Sequence, residues 1–273
     1  MKKKKKTLLW KIEGKNDIQP SYIFGTMHVR DQRAFKYKEL VESKILKCDA
    51  YAAEISLEEV DHMFMSDSMN LPEGQTLSKI LKPKIFGRTD KIFKKMVGVP
   101  LDHFEKSQPF MISTIITERL LSSDMPLSLD ATLHQFAKEN EKITLGVESF
   151  TEQIEILSKI PLDFQIKSLG WMAKNFKLFR KQLMKMTSEY ETSDIQKLYQ
   201  STKKSLKGLR KIMLYDRNKI MAQRIALLVK KQSIFVSIGA GHLGGQKGVL
   251  RLLKKEGLKI RPVLFKDKYL QNT

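Results

Sequence analysis

The sequence predicts an α/β protein: a mixed, mostly parallel central sheet with flanking helices and a large helical insertion or cap. Three observations carry that expectation. Short apolar runs suited to buried strands recur near residues 22–24, 50–53, 143–147 and 234–238. Stretches with helical spacing separate them, giving β-α-β order. Two of the runs, Ser21-Tyr-Ile-Phe-Gly-Thr-Met-His28 and Ser233-Ile-Phe-Val-Ser-Ile-Gly-Ala-Gly-His242, pass through glycine into histidine. Glycine lets the backbone turn sharply at a strand end, where open α/β sheets build their sites.

Thr7 to Ile12 and Tyr22 to Phe24 read as strands joined by a polar turn containing Gly14, Asn16, Asp17 and Pro20. A helix is expected over Phe35 to Leu46, then a buried parallel strand over Asp49 to Ser56. Leu57 to Leu121 is helical and loop-rich, with methionines and phenylalanines at helix spacing and breaks near Pro72, Pro83, Pro100 and Pro109. The core resumes with a helix over Asp130 to Asn140 and a strand over Ile143 to Ser149 that enters a helix at Thr151. Leu162 to Lys231 reads as basic and helical, a cap or long hairpin broken around Thr187 to Ser193. Strand, helix and strand follow at Ile234 to Ile238, Lys247 to Lys255 and Leu258 to Leu264. The expected organisation is a single α/β domain over 7–273, with helical insertions at about 57–121 and 162–231 and a basic tail at 1–6.

With 273 residues, 41% of them hydrophobic, the chain is long enough to bury a core. Its one cysteine, Cys48, forms no internal disulfide and suits burial beside a strand. Lys2 to Lys6 followed by Leu8, Leu9 and Trp10 resembles the start of a signal peptide, but Lys11 and Glu13 cut the apolar stretch short, so a cytoplasmic chain is expected. No segment approaches the roughly 20 apolar residues of a membrane span. The formal charge of +20 is spread along nearly every helical segment, without the interleaved aromatics of a single-strand platform. It reads as a solvated surface with no specific nucleic-acid partner, and leaves peripheral contact with anionic membranes open.

Four titratable residues stand at the carboxyl ends of expected strands: His28, Glu54, Glu148 and His242. A carboxylate in an apolar strand is costly to desolvate without a partner. Either histidine alone reads as a hydrogen-bonded structural residue; together with the glutamates they read as a site. Two imidazoles and one or two carboxylates make a ligand set for a divalent ion with open positions, and Mn, Co or Zn would suit it. Arg217 falls on a helix stripe with Met213, Ile220 and Leu228, so it needs an anionic partner. It either clamps a strand-end carboxylate or stabilises negative charge on a substrate or intermediate, and both readings stand.

Gly239-Ala-Gly-His-Leu-Gly244 also matches the dinucleotide fingerprint Gly-x-Gly-x-x-Gly. The following strand has no acidic residue, and Asp267 lies past its end, which argues against a nucleotide. His62, His103 and His134 sit in polar contexts. Asp130 precedes His134 by four residues, where an acid at a helix N-terminus is the simpler reading. The chain contains no His-Glu-x-x-His, Gly-x-Ser-x-Gly or phosphate-binding loop.

These residues resemble the TraB/PrgY/GumN family, related to the Tiki proteases that act on Wnt ligands. Tyr22 to His28 is similar to its first Gly-x-x-His segment, Ala53-Glu54 to its early glutamate strand, and Leu129-Asp130, Gly146-Val-Glu148 and Gln153 to its central segment. Arg217-Asn218 and Gly239 to Gly244 are similar to the later ones. The resemblance runs from about Thr7 to Val263. It implies an α/β core with helical elaboration and, by analogy with the Tiki members, metal-dependent peptide hydrolysis. On this reading His28, His242 and Glu54 hold one divalent ion, and Glu148 is the second-choice ligand or the base. Arg217 stabilises the oxyanion, and the substrate is a peptide or small molecule. A noncatalytic protein that sequesters a peptide or small ligand in the same pocket is the alternative.

Overall fold

The structure, a computed structural model, describes residues 6–14, 19–56, 69–121 and 123–264. His62 and the start of the first expected helical insertion, 57–68, lie outside the described residues, as does most of the basic tail. In chain order the elements are β1 (Leu9–Glu13), β2 (Ser21–Thr26), α1 (Lys38–Ile45), β3 (Ala50–Ile55), α2 (Leu77–Ile80), α3 (Pro83–Val97), α4 (Pro109–Leu120), α5 (Leu129–Glu139), β4 (Ile143–Glu148), α6 (Phe150–Ser158), α7 (Leu162–Lys174), α8 (Phe176–Glu191), α9 (Ile195–Ser205), α10 (Arg217–Val229), β5 (Ile234–Gly239), α11 (Val249–Lys255) and β6 (Lys259–Pro262).

The six strands form one mixed sheet in the order β4-β3-β5-β2-β1-β6. β4, β3, β5 and β2 run parallel, while β1 pairs antiparallel with both β2 and β6. The expected mostly parallel sheet is what forms, and its N-terminal pair, β1 and β2, is antiparallel. β5, the last parallel strand in sequence, inserts between β3 and β2, which are consecutive in the chain, and so separates them.

The central strands bury both faces, which explains their near-continuous apolar runs. Ile23 and Phe24 of β2 and Phe235, Val236 and Ile238 of β5 are at most 1% exposed. Each such side chain stabilises the fold by about 1.5–3 kcal/mol relative to exposure. Tyr51 of β3 stacks on Phe235 with ring centroids 6.1 Å apart. Helices α1 and α5 pack on each other and on β3, β4 and β5, and α10 and α11 pack on each other and on β4, β5 and β6. At the foot of the sheet, the Ser233 hydroxyl donates to Asp49 Oδ2 at 2.7 Å and accepts from the Asp49 N–H at 3.0 Å, which aligns the starts of β3 and β5.

The chain divides into two compact units. One comprises Met1–Glu59, Ser123–Phe150 and Met186–Thr273 and contains the sheet; the other comprises Val60–Ser122 and Thr151–Lys185. In the second, α3, α4 and α7 pack around Leu81, Phe93, Ile112, Ile116 and Leu169. Pro83 and Pro109 open α3 and α4 at the first helical position, where the missing N–H costs nothing. Gln165 is buried among them, with its amide donating to Gln108 Oε1 and Ile160 O and its oxygen accepting from the Phe110 N–H.

The break expected around Thr187 to Ser193 comes at the end of that range. Thr187 is fully buried and α8 continues to Glu191 before Ser193 takes a left-handed backbone with φ 54°. Packing overrides the low helix propensity of the Thr-Ser pair. Asp194 then caps α9 by accepting from the Gln196 and Lys197 N–H groups.

Candidate functional site

Parallel pairing sets the strand ends beside one another. Thr26 pairs with Gly239, Ala53 with Ser237, and Ile55 with Glu148. The four titratable residues flagged in the sequence therefore leave the sheet at its carboxyl edge, with β5 central. Gly25 makes the fit close: a Cβ there would stand 2.7 Å from Leu243 Cδ1 and 3.0 Å from Ala240 Cα. The two glycine-to-histidine turns pack against each other without room for a methyl group. The Tyr190 hydroxyl adds a bond to Gly25 O at 2.8 Å.

Arg217 is the hub. A π-helical segment, Lys211–Asp216, leads into α10, and Arg217 begins that helix while only 8% exposed. Its Nε donates to both oxygens of Glu148 at 3.1 Å, and Nη2 reaches Glu148 Oε2 at 2.5 Å. Nη2 also donates to Glu54 Oε1. The other oxygen of Glu54 accepts from the Gly239 N–H at 2.9 Å. Arg217 clamps strand-end carboxylates as one of its two readings expected, and it closes on both glutamates rather than one. The buried stripe that carries Arg217 is Met221, Ile225 and Val229, with Asn218, Ala222 and Ala226 alongside; Met213, Ile220 and Leu228, expected on it, are only half-buried.

The electrostatics follow from this geometry. Burial is the largest effect on Glu54 and works against its charge, but Arg217, His242 and the Gly239 N–H together outweigh it, and the pKa falls to about 2. Burial likewise opposes the guanidinium charge, yet the two carboxylates raise the Arg217 pKa. Burial is the main effect on His242, Glu54 opposes it and Arg217 adds to it, so the pKa drops to about 4 and the ring is neutral at pH 7. Two carboxylates share one guanidinium, leaving a net negative charge beside a neutral imidazole.

His242 is 8% exposed and lies against the same strand end: a Cβ on Gly239 would be 3.4 Å from Glu54 Oε2 and 3.5 Å from His242 Cδ2. Its Nδ1 is 2.6 Å from Oδ1 of the fully buried Asn218. His28 is placed on the loop after β2, with a side chain 72% exposed and Nδ1 3.5 Å from Asp130 Oδ2. Asp130 is the second residue of α5, whose N-terminus Ser128 caps, and it also accepts from the Thr26 hydroxyl. The structure thus brings Glu54, Glu148, Arg217 and His242 together and sets His28 beside Asp130. Among the described residues no three His, Cys, Asp or Glu side chains are grouped so as to hold a metal ion.

Asn218 emerges without a role assigned by sequence reasoning, Asp130 stands in the first turn of its helix as expected, and His134 departs from its expected setting. Asn218 followed Arg217 in the quoted motif but carried no role; its signal was an amide on a stripe otherwise filled by Ala222 and Ala226. Asp130 lies beside His28. His134 is itself buried at 7% and meets the Tyr51 ring edge-on, instead of lying in a polar context, because α5 turns that face onto β3. His103, with a side chain 61% exposed beside Asp102, stays at the surface as expected.

The glycines of the fingerprint-like run serve packing. A Cβ on Gly241 would meet Thr202 Oγ1 at 2.3 Å, and one on Gly244 would meet Ile195 O at 2.3 Å. They let α9 lie directly on the turn that follows β5, where a pyrophosphate would sit in a dinucleotide fold. Among the described residues no helix is long and apolar enough to cross a membrane.

The chain is similar to metalloprotease TIKI2 of Danio rerio, 22% identical over 93% of this chain and 60% of that protein. It is also similar to the metalloprotease TIKI homolog of Nematostella vectensis, 21% identical over 94% of this chain and 67% of the relative, and to metalloprotease TIKI2 of Xenopus tropicalis, 23% identical over 88% and 57%. It therefore spans about three fifths of the length of the Danio rerio relative. No solved structure matches it. A family model matches residues 8–262, nearly the whole chain, and on that match the chain belongs to the TraB/PrgY/gumN family.

Proposed function

We propose that this chain is a metal-dependent hydrolase acting on peptides, with one divalent ion, Mn, Co or Zn, held by His28, His242 and Glu54. The observation that carries the reading is the pairing of Thr26 with Gly239, which sets the two glycine-to-histidine turns side by side at a strand end bearing net negative charge. The donor chemistry fits such an ion. His242 offers a neutral imidazole, Glu54 an ionised carboxylate with lone pairs beyond those used by Arg217 and Gly239, and His28 an accessible ring. The relatives' name, metalloprotease, supports the same class.

A divalent ion bound there would supply Lewis acidity and lower the pKa of water toward neutrality. The chain's own residues divide the remaining work. Glu54, whose side chain is a quarter exposed, is the carboxylate assigned to the ion, and Glu148 is the second-choice ligand or the base that takes a proton from water. Glu148, 2% exposed and bound on both oxygens, orients Arg217. Arg217 is the group we assign to stabilising the oxyanion. The setting we assign is the cytoplasm, in keeping with a fold that needs no disulfide.

Elemental analysis of purified protein tests the ligand set. About one equivalent of metal should accompany the wild type and be lost from His28→Ala and from His242→Ala, with both variants still folded. A peptide library incubated with the metal-loaded protein should yield cleaved products, abolished in each variant. Saturable binding without cleavage would instead make the chain a peptide-sequestering protein, and turnover retained in either histidine variant would overturn the assignment.

A further inference from the structure

We propose that Asn218 is a positioning residue that fixes His242 as its Nδ1–H tautomer, so that Nε2 is the ring nitrogen offered to the site. The argument comes from the two chemically different ends of one buried amide. Asn218 is 0% exposed, and its Nδ2 donates to Lys247 O at 2.7 Å. A carbonyl oxygen only accepts, so the end of the amide facing Lys247 must be the NH2 group. The other end is then the oxygen, 2.6 Å from His242 Nδ1. That oxygen also only accepts, so Nδ1 must carry the proton; in the neutral ring the lone pair lies on Nε2.

The local architecture suits this task. Asn218 is the second residue of α10, directly after the arginine that holds Glu54 and Glu148, so one helical turn positions both the carboxylates and the imidazole. Both partners of the amide, the His242 ring and the Lys247 carbonyl, belong to the turn that follows β5. Asn218 therefore fixes the ring relative to its own loop, and Asn is otherwise a mediocre choice for a fully buried helical position. A histidine oriented through one nitrogen by an outer hydrogen bond is the usual arrangement for presenting the other to a metal or a proton. Only that last use rests on the hydrolase reading; the tautomer assignment stands without it.

Two-bond 1H–15N correlation spectra of the histidine side chains, recorded on the metal-free protein at pH 8, test the assignment, with the His242→Gln variant identifying the signal. Wild type should show the Nδ1–H pattern. Asn218→Asp keeps an acceptor and should retain it, whereas Asn218→Leu, of similar size and without an acceptor, should shift the ring toward Nε2–H. Separately titrated divalent metal should bind the leucine variant about 10- to 100-fold more weakly than wild type. An Nε2–H pattern in wild type, or an unchanged pattern in the leucine variant, sinks the proposal. If the leucine variant does not fold, the patterns of wild type and Asn218→Asp decide. A wild type with the Nδ1–H pattern that binds no metal would defeat the hydrolase reading and leave this one intact.

Discussion

Arg217 and Glu148 meet side-on, with Nε shared between both carboxylate oxygens at 3.1 Å and Nη2 closing on one of them at 2.5 Å. The pair is buried, and Glu54 joins it as a second anion on the same Nη2. One guanidinium thus serves two carboxylates, and the consequences of removing each partner differ.

Arg217→Ala would leave two carboxylates facing each other, Glu148 buried and Glu54 a quarter exposed. It should lower stability by about 3–5 kcal/mol, the usual cost of stranding a buried charge. Urea unfolding of the variant beside wild type measures this, and a loss below about 1 kcal/mol would show that the cluster relaxes into solvent.

Glu54→Gln should behave oppositely, because the Arg217–Glu148 pair it leaves behind is balanced. The amide oxygen can still accept from Arg217 or from the Gly239 N–H, so the expected cost is about 1 kcal/mol. Metal binding and hydrolysis should nevertheless be lost on the proposed function. A variant both unstable and active would invert the roles given to the two glutamates.

The glycines after β5 separate packing from chance. A methyl on Gly244 would press on Ile195 O at 2.3 Å, a backbone atom that cannot swing aside. Gly244→Ala should therefore cost about 1–3 kcal/mol through overpacking. Gly87, inside α3 with nothing within 4 Å of its virtual Cβ, is the control. Gly87→Ala should stabilise the protein by about 0.5–1 kcal/mol. Thermal denaturation of the two variants should move Tm in opposite directions.

Asp31 provides a pH signature away from the carboxylate cluster. It is 2% exposed, accepts from the Arg33 N–H at 3.0 Å and from Arg33 Nε at 2.9 Å, and so caps the short 3-10 turn Gln32–Phe35. The Arg33 side chain outweighs burial and holds its pKa below the ordinary value. A carboxylate depressed in the folded state stabilises fully above its unfolded pKa of about 3.9, and that contribution disappears as pH falls through the folded value. Asp31→Asn should cost on the order of 1 kcal/mol at pH 7, with the difference from wild type shrinking in acid. A gap that persists at pH 2 would locate the effect in packing rather than charge.

The parts of the fold legible in the sequence were those written in local pattern. Tyr22 to Phe24 and Ala50 to Ala53 are continuous apolar runs, and Ile234 to Ile238 is one broken only by Ser237, because both faces of those strands are covered, and the titratable residues at their ends stood out as exceptions. Strand order was not legible: the insertion of β5 between β3 and β2 is a pairing across nearly two hundred residues that no local spacing encodes. The same limit applied to Arg217, whose burial could be read from its helix but whose double partnership depends on where β3 and β4 end. Asn218 carried the faintest signal, since an amide beside an apolar stripe announces itself only once the stripe is drawn through Met221 and Ile225 rather than Ile220 and Leu228.

Cys48 lies at the foot of β3, 1% exposed and next to the Asp49–Ser233 link. Burial is the main reason its thiol is pushed up to about 12, with Asp49 adding to the shift and Lys142 opposing it. The thiolate is the reactive form, so native Cys48 should resist a disulfide reagent at pH 8 and react only when the strand opens. The sign of the linkage is that of an acid whose folded pKa is raised. Its contribution to stability is complete below the unfolded thiol pKa of about 8.5 and is lost as pH climbs toward about 12. Labelling rates measured across a urea series should therefore follow the unfolded fraction, and Cys48→Ala should flatten the alkaline loss of stability. A native protein labelled as fast as a free thiol would show that the start of β3 is open to solvent.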